Sequence, residues 1–230
     1  MRLDKYLSNL NYTTRRQTKK YLKVNNVEIN EIRVLDPSLS FNPDEDKLTI
    51  NGELISYNEN YYICLYKPKN ILSANNDSYY ETVIDIIDVG YKDKLKIAGR
   101  LDLDAEGLLV LTTDGSFVHN ITHPKKQIPK IYEVILNKEF KAENKLLNGI
   151  TLKDDNNKTY LAKALEIVKN DNHVKITITE GKFHQVKKMF NATGYEVLNL
   201  KRIQYGKLTL KDLKPGEYYF FEKEDLVWPN

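Results

Sequence analysis

One stretch constrains this chain more than any other: Ala98-Gly99-Arg100-Leu101-Asp102-Leu103-Asp104-Ala105-Glu106-Gly107-Leu108-Leu109-Val110-Leu111-Thr112-Thr113-Asp114-Gly115. It sets an acidic side chain between a glycine-arginine turn and an apolar strand, Leu108 to Thr112. Gly99 and Gly107 permit backbone angles that other residues resist, so the chain can turn sharply on either side of Asp102. Arg100 precedes Asp102 by two positions, and a cation and a carboxylate therefore share one short segment. An Asp near glycines usually does no more than cap its own turn. With an arginine beside it, the same segment can grip a phosphate backbone and offer a nucleophile next to it.

A chain of 230 residues can bury a substantial core and is long enough for one large domain and one small one. Its 35 Lys and Arg oppose 32 Asp and Glu, a net charge of +3, so any attraction for polyanions must come from clustering rather than from total charge. The single cysteine, Cys64, lies between Ile63 and Leu65. It excludes an intrachain disulfide and a cysteine metal site, and it reads as a buried strand thiol. After Met1-Arg2-Leu3-Asp4-Lys5 there is no apolar signal core, and no run reaches the length of a bilayer span. A cytoplasmic protein without membrane association is expected. Sixteen tyrosines, against 7 Phe and 1 Trp, suit surfaces that touch bases as well as cores with a polar edge.

The N-terminal segment reads as a compact helical module. Leu3, Tyr6, Leu7 and Leu10 recur at helical spacing; Thr13 or Thr14 is then placed to cap a second helix carrying Arg15, Arg16, Lys19, Lys20 and Lys23, with Tyr21 and Leu22 inward. One face of that helix is strongly basic, which is either a solvated face or a surface for polyanions. Val27, Ile29, Ile32 and Val34 alternate around Asn30-Glu31, and Leu48, Ile50, Leu54 and Ile55 flank Asn51-Gly52, the stronger of two hairpin signals. The module closes near Tyr57, and Asn58-Glu59-Asn60 forms a polar link. The expected organisation is therefore a domain over 1–57, a linker over 58–60 and a second domain over 61–230.

Tyr61 to Tyr66 opens the second domain as a strand that ends at Lys67-Pro68-Lys69-Asn70, where proline stops pairing and two lysines flank the turn. Further on, Lys130 to Leu136 alternates with strand period. It places Ile131, Glu133 and Ile135 on one face and Tyr132, Val134 and Leu136 on the other. In the last informative run, Val174, Ile176 and Ile178 form a strand, Gly181 makes the turn, and Val186, Met189 and Phe190 fit the buried stripe of a helix. Lys182, Lys187 and Lys188 thereby cluster at a helix start, which favours anions. His119, His123 and His173 have no metal-ligand spacing with His184, so no metal is expected.

Several of these segments carry a resemblance. Arg2-Leu3-Asp4-Lys5-Tyr6-Leu7, the Thr14-Arg15-Arg16 helix start and the Val-x-Ile-Asn hairpin resemble the S-four-type RNA-binding domain of ribosomal proteins and RNA-modifying enzymes. Two departures are Asn25-Asn26, where that family usually has a glycine, and Glu31, where its hairpin usually has Gly after Asn30. Asn tolerates left-handed geometry better than Glu. The run around Asp102 resembles the active-site motif of the pseudouridine synthases that modify ribosomal RNA, in particular the small-subunit branch. Lys130-x-Tyr132-Glu133-Val134 is similar to that family's second motif and Gly181 to Phe190 to its third, with a Lys-Pro pair such as Lys67-Pro68 after the first catalytic strand.

The resemblance implies a cofactor-free isomerisation of uridine to pseudouridine. Asp102 would attack C6 of uracil or C1′ of the ribose, Tyr132 would stack on the base and accept a proton, and Lys187 would pair with Asp102, with Lys182 competing for that role. A nearby cation is needed because an aspartate enclosed with a stacked base tends to take up a proton. Arg100 would fill the gap left by the extracted nucleotide. RNA contacts are expected at Arg2, Lys5, Arg15, Arg16, Lys19, Lys20, Lys67, Lys69, Lys182, His184, Gln185 and Lys188, with His184 touching RNA or supporting Gln185 and taking no catalytic role. His184-Gln185, where large-subunit relatives tend to carry Asn-Arg, the closing Lys214-Pro215-Gly216-Glu217-Tyr218 and the acidic Glu222 to Asp225 favour one uridine of 16S rRNA, free or in an assembly intermediate, and a monomeric enzyme. The alternatives are a synthase acting on 23S rRNA, a non-catalytic RNA-binding assembly factor and a protein-binding adaptor. The expected architecture is α+β: a small N-terminal module and a larger domain on a mixed, mostly antiparallel sheet flanked by helices.

Overall fold

The computed structural model describes residues 1–10, 12–43, 45–55 and 60–226. Tyr57, where the first module was expected to close, and Asn58 and Glu59 of the expected linker lie outside the described residues. Two compact units are present: residues 1–60 with 88–93, and residues 61–87 with 94–230.

In the first unit, α1 (Leu3–Asn9) and α2 (Thr18–Val24) pack on a four-stranded antiparallel sheet of β1 (Val27–Ile29), β2 (Ile32–Arg33), β3 (Leu48–Ile50) and β4 (Glu53–Ile55), in the order β2-β1-β3-β4. Both hairpins turn as the sequence implies. Asn30 and Glu31 have φ of 51° and 66°, and Asn51 and Gly52 have φ of 52° and 87°, the left-handed pair that matches strand twist. Glu31 tolerates this geometry beside a well-anchored neighbour: the Asn30 side chain donates to Asp46 Oδ1 at 2.7 Å and accepts from Lys47 N at 2.9 Å. Leu3, Tyr6, Leu7, Leu22, Val27 and Leu48 form the buried core, with Tyr6 edge-on to Phe41 at 4.9 Å.

The second helix corrects an expectation. Neither Thr13 nor Thr14 caps it through its side chain; the Thr14 carbonyl instead accepts from Gln17 N at 2.9 Å and Thr18 Oγ1 at 3.0 Å. Residues 14–17 are thus held in a turn, and Arg15 and Arg16 precede the helix rather than ride on it.

The second unit is built on a nine-stranded sheet. Its strands are β5 (Tyr62–Lys67), β6 (Lys96–Ala98), β7 (Glu106–Thr112), β8 (Lys130–Leu136), β11 (Glu166–Asn170), β12 (His173–Ile178), β13 (Val197–Tyr205), β14 (Leu208–Thr209) and β15 (Tyr218–Phe220). Strands β9 (Ile150–Lys153) and β10 (Thr159–Ala162) form a separate hairpin, and helices α3 (Gly115–Thr122), α4 (Glu143–Asn148), α5 (Gln185–Ala192) and α6 (Lys223–Leu226) complete the unit. The order is β11-β12-β8-β13-β7-β5-β15, with β14 beside β13 and β6 beside β7. Every strand pairing of this sheet among the described residues is antiparallel except β13 with β7, so the sheet is mixed, mostly antiparallel and flanked by helices.

The centre of this sheet positions the site. All six residues of β5 are buried, as are Gly107 to Thr112 of β7, the pattern of strands covered on both faces. Cys64 is fully enclosed there, and burial pushes its thiol up to about 11. The parallel pairing sets Arg202 of β13 opposite Gly107 of β7, directly after the loop that carries Asp102.

Candidate active site

The Asp102 loop joins β6 to β7 and is pinned from several directions. Gly99 turns it with φ 79°. Ser73 Oγ accepts from Leu101 N at 3.1 Å and donates to Leu101 O at 2.8 Å. Asn70 N donates to Leu103 O at 2.8 Å, and Ala105 N to Asp102 O at 3.2 Å. Leu101 and Ala105 are buried on either side, so the two apolar anchors leave the intervening carboxylate facing outward into a cleft.

That cleft, of about 300 Å³, is lined by Asp102, Tyr132, Ile178, Val186, Arg202 and Tyr205 among others. Tyr132 shares the buried face of β8 with Val134 and Leu136, as strand parity requires. Lys187 stands in the first turn of α5, whose buried stripe of Val186, Met189 and Phe190 orients it. Its Nζ lies 3.2 Å from Asp102 Oδ2 and 2.5 Å from Asp104 Oδ1. Burial opposes the charge on Lys187, but the hydrogen bond to Asp104 and the two carboxylates outweigh it and hold the ammonium above its ordinary pKa. Asp104 is held low by the same contact.

The competing lysine is elsewhere. Lys182 Nζ sits over the Tyr160 ring at 4.3 Å and makes no ion pair with Asp102. His184 comes closer than its sequence context implied: with φ 53° it stacks on Phe183 at 3.7 Å and sets Nε2 3.4 Å from Asp102 Oδ1. Asp102 is therefore flanked by an ammonium on one oxygen and an imidazole on the other.

Two expected RNA contacts are instead internal. Lys67 is fully buried, and its Nζ donates to Pro68 O at 2.8 Å, Ile71 O at 2.7 Å and Leu103 O at 3.4 Å. It ties the loop after β5 to the Asp102 loop, and burial pushes it down to about 8. Gln185 is also buried; its side chain accepts from Lys182 N at 3.0 Å and donates to Glu180 Oε2 at 3.3 Å, closing the turn before α5. Lys69 is exposed at 3.9 Å from Glu106, Arg100 is exposed at the cleft, and Lys188 contacts Lys153 O and Asp155. In the first unit, Lys5, Arg16, Lys19 and Lys20 are exposed, whereas Arg2 and Arg15 converge on Asp4 at 2.9 and 3.3 Å. The hydrogen bond from Arg2 holds Asp4 down to about 2.

The cleft residues Lys130, Arg202 and Tyr205, and Asp104 beside Lys187, were given no role from sequence. Arg202 is 2% exposed; its Nε donates to Leu108 O at 2.7 Å and Nη2 to Gly99 O at 3.3 Å. The only sequence signal was parity, since Arg202 shares its inward face with Leu200.

Residues 61–192 match the family model described as RNA pseudouridylate synthase. This chain belongs to that family. The matched stretch contains Asp102, Tyr132 and Lys187, while Arg202 and Tyr205 lie beyond it. Likeness to members of the family extends further than the matched domain. An uncharacterized RNA pseudouridine synthase of Bacillus subtilis is 40% identical over 98% of this chain and 97% of its own. The ribosomal small subunit pseudouridine synthase A of Vibrio vulnificus is 35% identical over 99% of this chain and 100% of its own. A crystal structure of a pseudouridylate synthase, 33% identical, superposes with a TM-score of 0.67 over 99% of this chain and all of that one. The protein is a pseudouridine synthase, an isomerase that breaks the C1′–N1 bond of uridine and joins C1′ to C5.

Proposed function

We propose that this synthase modifies one uridine of 16S rRNA, with Asp102 as nucleophile. The observation that carries the catalytic part is the pairing of Lys187 Nζ with Asp102 Oδ2 at 3.2 Å inside a cleft that also holds Tyr132. A fixed ammonium on one carboxylate oxygen aims the other at the nucleoside. Asp102 adds to C6 of the uracil or C1′ of the ribose, the C1′–N1 bond breaks, the base turns while held against Tyr132, C5 joins C1′, and the bond to Asp102 breaks to release the carboxylate. Tyr132 takes the proton that leaves C5, and N1 gains one, so the sum is an isomerisation.

The small-subunit target is supported by 35% identity, over nearly the full length, to synthases named for that subunit and by His184-Gln185 in the third motif. The test has two arms. Asp102→Asn abolishes pseudouridine formation in a 16S transcript while leaving RNA affinity largely intact; product from this variant disproves the nucleophile. Mapping pseudouridine in ribosomal RNA from cells lacking the protein removes one position from 16S rRNA, whereas loss from 23S rRNA, or no loss, overturns the target.

A further inference from the structure

Lys130 and Arg202 are 8% and 2% exposed, and neither has a carboxylate within ion-pair distance among the described residues. Lys130 Nζ donates to Ile128 O at 2.7 Å and Thr179 O at 3.1 Å. Both cations stand over the Tyr205 ring, at 4.8 and 5.3 Å from its centroid, and the Tyr205 hydroxyl is turned away to donate to Ile121 O at 2.8 Å. Main-chain carbonyls and a π face thus take up part of the two charges, yet one N–H of Lys130 and three of Arg202 have no acceptor among the described residues. Two buried like charges without a counterion are costly. Burial, with Arg202 nearby, already pushes Lys130 down to about 8. A fold that keeps this arrangement at the floor of its catalytic cleft is built to receive negative charge there.

We propose that Lys130 and Arg202 form an oxyanion site for the uracil ring, stabilising the charge it carries when the C1′–N1 bond has broken. This rests on the isomerase reading with Asp102 as nucleophile. When that bond breaks, its electron pair stays with the ring and spreads over N1, O2 and O4. C5 then returns a pair to C1′, the bond to Asp102 breaks and its pair leaves with the carboxylate, the C5 proton departs and N1 is protonated, so no co-reactant is required. Depth selects the ring over a phosphate. The Asp102 side chain is 21% exposed, and the two cations are more deeply enclosed than the atom that attacks the nucleoside. Beyond the nucleophile comes the base, whereas backbone phosphates remain toward the mouth. Preorganised buried donors of this kind act where charge develops and need no reorganisation at the moment of reaction.

The experiment is single-turnover kinetics of the full chain on 16S transcripts containing either uridine or 5-fluorouridine, following loss of the N-glycoside by nuclease digestion and mass spectrometry. Fluorine at C5 stabilises the ring anion by withdrawing electrons, so it substitutes for part of what the cations supply. Lys130→Gln and Arg202→Gln are expected to slow the uridine reaction by about 10²-fold with RNA affinity unchanged within about threefold, and to lose several times less on 5-fluorouridine. Arg202→Lys, which retains a cation, covers the case in which Arg202→Gln does not fold. Equal losses on both substrates overturn the proposal. Weakened RNA binding with a shallower salt dependence assigns the pair to a phosphate instead, and unchanged rates with lowered stability assign it to structure. A wild-type protein that isomerises nothing, or an Asp102→Asn variant that still does, sinks the underlying reaction assignment first; an active wild type with equal losses sinks the oxyanion site alone.

Discussion

A Cβ placed on Gly107 would lie 2.2 Å from the carbonyl oxygen of Arg202. The two residues face each other where β7 and β13 run parallel, and Gly107 has φ 111°, a left-handed angle that side-chain-bearing residues rarely adopt. The close approach brings the Arg202 guanidinium up to Gly99 O and Leu108 O, on either side of the Asp102 loop. Gly107→Ala is therefore expected to destabilise the second unit by about 3 kcal/mol or more. Urea unfolding of the variant measures it; a loss below about 1 kcal/mol would mean that the strands separate without cost.

Lys187→Met separates chemistry from binding. Removing the ammonium leaves Asp102 and Asp104 with no cation between them, while most of the RNA-facing surface is unchanged. The single-turnover rate is expected to fall about 10²-fold or more with RNA affinity within about threefold, and Lys187→Arg to recover part of the rate. Lys182→Met, which removes an ammonium seated over the Tyr160 ring rather than beside Asp102, is expected to leave the chemical step close to wild type. The reverse ranking in a rapid-quench assay would reassign the cation.

Buried Lys67 makes stability depend on pH with a definite sign. Its folded pKa is lowered from 10.5 to about 8, so above pH 8 the folded chain sheds a proton that the unfolded chain keeps. The unfolded state then binds more protons, and stability rises with pH. Lys130 acts in the same direction. The full penalty is present below pH 8 and is roughly 3 kcal/mol for Lys67. The clean window is pH 8 to 9, because ionisation of the unfolded Cys64 thiol above 9 opposes it. Unfolding free energy should climb across that window in the wild type and climb less in Lys67→Met.

The basic face of the first unit divides into two kinds of cation. All five are exposed, but Arg2 and Arg15 are paired with Asp4, whereas Arg16, Lys19 and Lys20 are in no ion pair among the described residues. Replacing Arg16, Lys19 and Lys20 by Gln is expected to lower RNA affinity and reduce the slope of log K against log salt by about one per charge that meets a phosphate. An unchanged slope in filter-binding titrations would remove this face from the RNA interface.

Much of this architecture was already written in local pattern. Alternation over 130–136 put Tyr132 with Val134 and Leu136, and that is its buried face. Asn51-Gly52 and Asn30-Glu31 announced hairpins, and helical spacing turned Val186, Met189 and Phe190 inward and so oriented Lys187. Where spacing was silent, expectations failed. Lys67 and Lys69 read alike as cations flanking a proline, yet Lys67 ends a strand covered on both faces and spends its hydrogen bonds on main-chain carbonyls.

What the sequence determined by itself was the periodicity of each segment and the presence of a glycine-framed aspartate, because both depend only on neighbours within a turn or a pleat. Which cation meets Asp102, and that Arg202 arrives beneath its loop from 94 positions away in its bond to Leu108 O, was decided by tertiary structure. Strand order is set by which buried surfaces fit together across the whole sheet, and no local spacing carries that information.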